Sequence, residues 1–256
     1  MKKSVRILLV IVLCLVLIAI SLPGGISFNK YNYDDATRYT AGGCEIDRQV
    51  KNIDISWVAG KVNVALHEGD EIILSETASR RLKENEELRW LVDGDTLYVK
   101  YLRSGVNFSS GLHKEMTLLL PENHQLKNIL VSSVSAEIEA DLPETDVVDI
   151  QSVSGSADVL FRETGEVRVN TVSGSLLLCF AAAPESIDAD AISGGITIQL
   201  PADAGFTVDM DSVSGRIGGD LLDGAAEVKN YTRGRGECRI SMNSVSGGLR
   251  LDAYTR

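Results

Sequence analysis

The sequence predicts an all-β chain: a parallel β-solenoid (β-helix) with an irregular β-rich N-terminal cap, preceded by one N-terminal hydrophobic helix. One short phrase recurs six times: Ser132-Ser-Val-Ser135, Ser152-Val-Ser-Gly155, Thr171-Val-Ser-Gly174, Ala191-Ile-Ser-Gly194, Ser212-Val-Ser-Gly215 and Ser244-Val-Ser-Gly247. Its serine (Ser135, Ser154, Ser173, Ser193, Ser214, Ser246) returns at intervals of 19, 19, 20, 21 and 32 residues, the kind of period that stacked repeats leave in a sequence. Apolar and polar residues alternate around it with period two, which is the pattern of strands and not of helices. Ahead of all this, Ile7–Ile20 is a run of fourteen apolar residues behind Lys2, Lys3 and Arg6.

The N-terminal stretch, residues 1–28, reads as a membrane anchor or signal segment. Fourteen apolar residues suit a signal-peptide core, but continuation through Phe28 reaches spanning length with the positive end inside. Anchor is the preferred reading and a cleaved signal the alternative. Both place the C-terminal body outside the cell, with the membrane as the first partner. Residues 29–52 read as a juxtamembrane linker and first strand. Without residues 1–28 the chain carries 22 basic and 36 acidic side chains, a net charge of −14. That balance argues against nucleic acid as a partner.

Residues 53–125 read as a β-rich cap with an early coil. Ile53–Val64 looks like a degenerate repeat with Ala59-Gly60 in the Ser-Gly place. Ser79–Glu87 is charged and reads as a solvated loop or one helical turn. Asp93-Gly94-Asp95 between two apolar runs is a hairpin signal, and Met116–Pro121 is a strand ended by proline. The cap blunts an edge that would otherwise template aggregation.

Residues 126–256 read as the regular coils. Aligned on the serine, the apolar column Val131, Ile150, Val169, Ala189, Met210 and Met242 stands four positions before it. The aliphatic column Val134, Val153, Val172, Ile192, Val213 and Val245 stands one before it and is expected inside. Ser154-Gly155, Ser173-Gly174, Ser193-Gly194, Ser214-Gly215 and Ser246-Gly247 are structural corners, because glycine turns a chain at low steric cost. Stacking such coils ~4.8 Å apart buries a continuous core. An antiparallel sandwich also gives many short strands, but it does not account for six copies of one corner.

Several motifs in order resemble the putative-adhesin domain family of unknown function found in bacterial envelope proteins. They are Val92-Asp-Gly-Asp-Thr-Leu97, Thr117-Leu-Leu-Leu-Pro121, Leu126…Ile129…Val131, the Ser-Gly coils, and Gly234-Arg-Gly236…Ile240…Ser246-Gly-Gly-Leu249. The resemblance spans about residues 45–252. It implies a β-helical, surface-exposed domain, often membrane-tethered and sometimes tied to envelope stress, with no catalytic residues to carry over. Ala136 departs from the pattern where a corner glycine is expected.

Chemistry is sparse. A nucleophilic serine needs a base within hydrogen-bond reach, and His67, His113 and His124 are scattered, so the serine column is read as corner hydroxyls satisfying backbone groups. No catalytic, cofactor or metal site is expected. Asp188, Asp190, Asp209 and Asp211 are expected on one outer face of adjacent coils, as a candidate cation-binding face or simply as solvated carboxylates. Lys229, Arg233, Arg235 and Arg239 form a candidate loop for an anionic partner, or only a connection between coils. Cys179 is expected to be a small buried residue, and Cys44 and Cys238 are either a disulfide or free thiols. The function expected is a non-enzymatic, membrane-tethered extracellular binding or scaffolding module for a glycan, wall polymer or protein. The alternatives are a carbohydrate-active β-helix enzyme and a self-assembling scaffold whose thinly capped last coil stacks end to end.

Overall fold

The computed structural model describes residues 30–107, 111–224 and 229–255; the predicted anchor at residues 1–28 lies outside them. Among the described residues no helix is long and apolar enough to cross a membrane.

The cap contains β1 (Lys30–Tyr31), β2 (Thr40–Ala41), β3 (Cys44–Ile46), the long β4 (Asn52–His67), β5 (Ile72–Ala78), β6 (Arg89–Asp93), β7 (Thr96–Lys100), β8 (Val106–Asn107) and β9 (Lys114–Pro121). The coils follow: β10 (Gln125–Leu142), then β11 (Glu144–Ser154) with β12 (Ala157–Phe161), β13 (Thr164–Ser173) with β14 (Ser175–Phe180), and β15 (Ser186–Ala191) with β16 (Gly195–Leu200). The chain then runs through β17 (Phe206–Ser212) with β18 (Ile217–Gly218), the short β19 (Asn230–Arg233), and finally β20 (Cys238–Ser244) with β21 (Leu249–Ala253).

Successive coils pair in parallel, repeat on repeat. Val131 lies beside Ile55 and Ile150, Ile150 beside Val169, and Val169 beside Ala189. Each coil bends at its corner, so its first strand lies on one face and its second on the other. β4 stacks under β10 in the same way, with Ala59 and Gly60 in register with Ser135 and Ala136. The result is a curled, largely parallel sheet closed around one apolar core.

Coil order departs from chain order at the end. β15 pairs with β20, not with β17, and β17 pairs with β20 on the other side. β16, β21 and β18 repeat the pattern on the second face. The closing coil is therefore inserted between its two predecessors. The last interval of 32 residues holds the chain needed for this. After β18 a 3₁₀ turn at Asp220–Leu222 lies along β21, with Asp220 N donating to Asp252 Oδ1 at 3.2 Å, and buries Leu221 and Leu222, while β19 runs antiparallel along β17. The backbone then crosses the start of β17 at Gly234–Glu237. Cys238 N donates to Gly205 O at 3.1 Å, and a Cβ on Gly205 would stand 2.0 Å from the Glu237 carboxylate. The last coil in space is thus β17–β18; β19 pairs along its Phe206–Asp209 part, and the Asp220–Leu222 turn lies along β21 beyond the end of β18.

The interior matches the first apolar column: Val131, Ile150, Val169, Ala189, Met210 and Met242 are all buried. Phe161 and Phe180 stack at 4.4 Å between centroids. Each such side chain contributes about 1.5–3 kcal/mol on burial. The second column is corrected. Strand alternation places Ser133, Ser152, Thr171, Ala191, Ser212 and Ser244 inside the tight corner, all buried. That turns the next residue outward: Val134, Val153, Val172, Ile192 and Val245 are half-buried, and Val213 is 67% exposed.

The cap is more varied. β7 and β9 continue the parallel stack from β4, but β6 and β5 outside them are antiparallel and are covered in turn by β2 and β3. The predicted hairpin is β6–β7, with Asp93 opposite Thr96. Cys44, Cys179 and Cys238 are free thiols. Cys44 sits in the cap and Cys238 in the closing coil, many ~4.8 Å strand spacings apart, so the disulfide alternative is excluded.

Candidate interaction surfaces

The serines come first because they carry the repeat. Ser135 Oγ donates to Val58 O at 3.3 Å, Ser154 to Val134 O at 3.2 Å, Ser173 to Val153 O at 3.4 Å and Ser193 to Val172 O at 3.3 Å. Ser246 then donates to Ile192 O at 3.4 Å and Ser214 to Val245 O at 3.3 Å. Each hydroxyl ties its corner to a carbonyl of the preceding coil, and the last two bonds reproduce the inserted order. The hydrogen a nucleophile would give to a base is already committed to a carbonyl. Two of the histidines are engaged elsewhere: His67 Nε2 lies 2.8 Å from Glu71 O and His124 Nε2 2.7 Å from Val50 O.

The glycines beside the serines are fixed by close approach. Gly174 has φ 142°, and a Cβ there would stand 2.0 Å from Gly155 O. Ala136 is tolerated because its corner is built differently. Its N–H donates to Ser133 Oγ at 2.9 Å, as Gly215 does to Ser212 and Gly247 to Ser244, and its φ is not in the left-handed region.

The outer face of the first strands carries polar rows. One row reads Ser56, Ser132, Gln151, Asn170, Asp190, Asn243, Asp211; the next reads Asp54, Leu130, Asp149, Arg168, Asp188, Ser241, Asp209. The expected four-aspartate cluster is therefore split. Asp188 and Asp190 are separated from Asp209 and Asp211 by the inserted β20, so the two pairs stand two strand spacings apart, about 10 Å. Asn243 fills the gap and donates to Asp190 Oδ1 at 2.9 Å. Burial pushes the Asp190 and Asp149 carboxyls up, opposed by the amides of Asn243 and Gln151. Among the described residues no group of three or more His, Cys, Asp or Glu is placed to hold a metal ion.

The basic loop is also divided. Arg233 lies in β19, donates to Ala202 O at 2.8 Å and stands 3.7 Å from Asp223. Arg239 lies across β17 from it, on β20 between Ser186 and Thr207. Lys229 precedes β19, and Arg235 sits exposed in the crossing.

A groove of about 250 Å³ on the cap, lined by Tyr33, Asp34, Asp35, Arg38, Tyr39, Leu91, Asp93, Tyr98 and Lys100, was not expected. Residues between 33 and 39 supply one wall and the β6–β7 hairpin the other. Arg38 and Asp93 form a two-pronged pair at 3.1 and 3.0 Å, which holds the Asp93 carboxyl below its ordinary range. Lys100 Nζ is 2.9 Å from Ser56 Oγ, 3.2 Å from Asp54 and 5.8 Å from the Tyr98 ring centroid. One signal for this site was in the sequence: seven of the nine Tyr and Trp residues fall between positions 31 and 101. A larger groove of about 460 Å³ lies beside Val50 and His124, where Gln125 donates to Glu144 at 2.7 Å and His124 Nε2 lies 2.7 Å from Val50 O.

The coil geometry agrees with what is known of other chains. Residues 133–252 match the Toastrack DUF4097 family model. The Toastrack match thus begins at the first regular corner and ends in β21. A solved structure described as a putative cell adhesion protein from Clostridium sporogenes aligns over 84% of this chain and 100% of its own, at 13% identity and TM-score 0.50. That likeness concerns the fold alone. Structures described as putative adhesins from Bacteroides fragilis (9% identity, TM-score 0.38, 83% and 97% covered) and Parabacteroides merdae (10%, 0.30, 85% and 97%) align less well. No curated protein matches the chain.

Proposed function

We propose that the chain is a non-enzymatic recognition module of adhesin type. Its N-terminal apolar segment tethers it to the cell membrane and its coil stack stands outside the cell. The observation that carries this reading is the serine ladder: the one feature of the repeat that suggests catalysis is engaged in holding coils together. What remains outward is a flat field of amides, carboxylates and aliphatic ridge, suited to extended contact. The acidic balance keeps such a body soluble, and the fold shared with a described cell adhesion protein supports the reading. End-to-end scaffolding is disfavoured because the short antiparallel β19 occupies the outer edge of β17 over Phe206–Asp209.

The test is an array of glycans, wall polymers, lipids and proteins probed with the full chain in lipid nanodiscs, with mass analysis of bound ligands. Binding that leaves the ligand intact is the expected result. Cleaved or modified ligand would overturn the reading, as would silence across all four classes.

A further inference from the structure

We propose that the groove between residues 33–39 and the β6–β7 hairpin is a saccharide subsite that seats a neutral pyranose unit. This rests on the recognition reading above and names the ligand class for one place on the surface.

The groove's chemistry selects by elimination. Its volume of about 250 Å³ is at or below the range typical of drug-sized ligands, so it accepts one or two rings. Three carboxylates (Asp34, Asp35, Asp93) face two cations, Arg38 and Lys100, and both cations already hold carboxylates, Asp93 and Asp54. An added phosphate or carboxylate ligand would enter a negative field without a free counter-ion. A cationic ligand would find three of the four carboxylates already facing cations, Asp35 and Asp93 at Arg38 and Asp54 at Lys100, with Asp34 alone left to hold it. An acyl chain would strand those charged groups without water. A neutral ring with hydroxyls on its rim and C–H bonds on its faces meets none of these penalties.

The positive case rests on the same residues. Tyr39 and Tyr98 are half-buried, so part of each ring stays open to the groove. Tyr39 is braced edge-on by Tyr33 at 4.9 Å, and Tyr98 stands in register with Leu91 and Asp54. The rings are therefore held before a ligand arrives, which lowers the ordering cost of binding. The Arg38–Asp93 fork fixes donors and an ionised acceptor on one rim, and Lys100 adds a fixed ammonium on the floor side. Beneath the groove Tyr33 is 7% exposed, and its hydroxyl has no hydrogen-bond partner. The regular coils' outer rows contain no aromatic residue, so the cap is where a sugar face can stack. From Lys100 the strand row runs past the buried Ser56 and Ser132 to the half-buried Gln151 and Asn170, so further units of a bound chain would meet amides.

The test uses the full chain in nanodiscs free of glycolipid, with cellotetraose, maltotetraose, mannotetraose and chitotetraose as probes. The first three represent neutral exopolysaccharide backbones and the last an amino-sugar wall backbone. Calorimetry gives affinity, and saturation-transfer NMR shows which ring protons touch protein. At least one probe is expected to bind through its pyranose C–H protons. Tyr98→Ala should weaken it at least tenfold, and Asp93→Asn, an exposed change that leaves the hairpin folded, about three- to tenfold. If a probe binds but Asp93→Asn and a folded Tyr98→Ala both keep wild-type affinity, the sugar sits elsewhere, and the subsite falls while the recognition reading stands. If no probe binds while another class on the array does, the subsite falls alone. Silence on both fails both.

Discussion

The cap and the coils both close a β core, by opposite means. In the coils the same contact is repeated: serine to carbonyl, glycine against carbonyl, aliphatic on aliphatic. In the cap the contacts are single and charged. Lys114, whose side chain is fully buried, lies 2.7 Å from Glu76, donates to Glu86 O at 2.6 Å, and sits 5.1 and 4.7 Å from the ring centroids of Trp57 and Tyr101. Burial pushes the Lys114 pKa down and Glu76 opposes it. Arg80 clasps Glu86 through two bonds of 2.8 Å. The charged stretch Ser79–Glu87 is thus not simply solvated: Glu86 turns inward from a 3₁₀ turn. A repeated contact spreads the effect of one loss over many copies. A single buried ion pair concentrates it.

The sharpest way to break the cap is to remove one charge of that pair. Lys114→Met leaves Glu76 buried and unpaired and should cost about 3–5 kcal/mol, read from urea unfolding midpoints. Adding Glu76→Leu should recover most of it. In the coils the largest single effect should come from Gly174→Ala, which puts a side chain into the left-handed region and against Gly155 O. The expected cost is about 1–3 kcal/mol, with hydrogen exchange rising at the neighbouring corners while the cap stays protected.

Acid separates the regions more gently. Arg80 holds the Glu86 pKa at about 2, against an ordinary 4.5. A carboxyl depressed in the folded state contributes stability that is full above its unfolded pKa and is lost as pH falls through the folded one. Cap protection should therefore decline between about pH 4.5 and 2, and Arg80→Ala should shrink that dependence, the Lys83 N–H bond to Glu86 keeping the remainder. Smallest is Ser173→Ala, one rung of the ladder, at about 0.5–1.5 kcal/mol. A much larger loss would mean that the corner hydroxyls do more than link coils.

What the sequence revealed follows from these two modes. The corners, the apolar column from Val131 to Met242 and the early coil at Ala59-Gly60 were legible because each repeats locally. The Lys114–Glu76 pair was not, since it joins two strands once and has no second copy to align. The aliphatic column was placed on the wrong side because a corner occupied by small residues leaves the next side chain facing out. Coil order was hidden for another reason: Ile240 and Met242 carry the same columns as Val208 and Met210, so β20 fits the register on either side of β17. Only the long last interval and the glycines at 205, 234 and 236 hinted at a crossing, and the four-aspartate cluster was lost with the assumed order. The cap groove left a compositional trace in its tyrosines but no motif.

Every outward row depends on that coil order, so it is the claim to test most directly. Two double variants, Asp190→Cys with Asn243→Cys and Asp190→Cys with Asp211→Cys, would be oxidised mildly in the full chain and mapped by mass spectrometry. The inserted closing coil predicts a cross-link between positions 190 and 243 and none between 190 and 211. A 190–211 cross-link without the other would mean that the coils stack in chain order, and the surface described above would have to be redrawn.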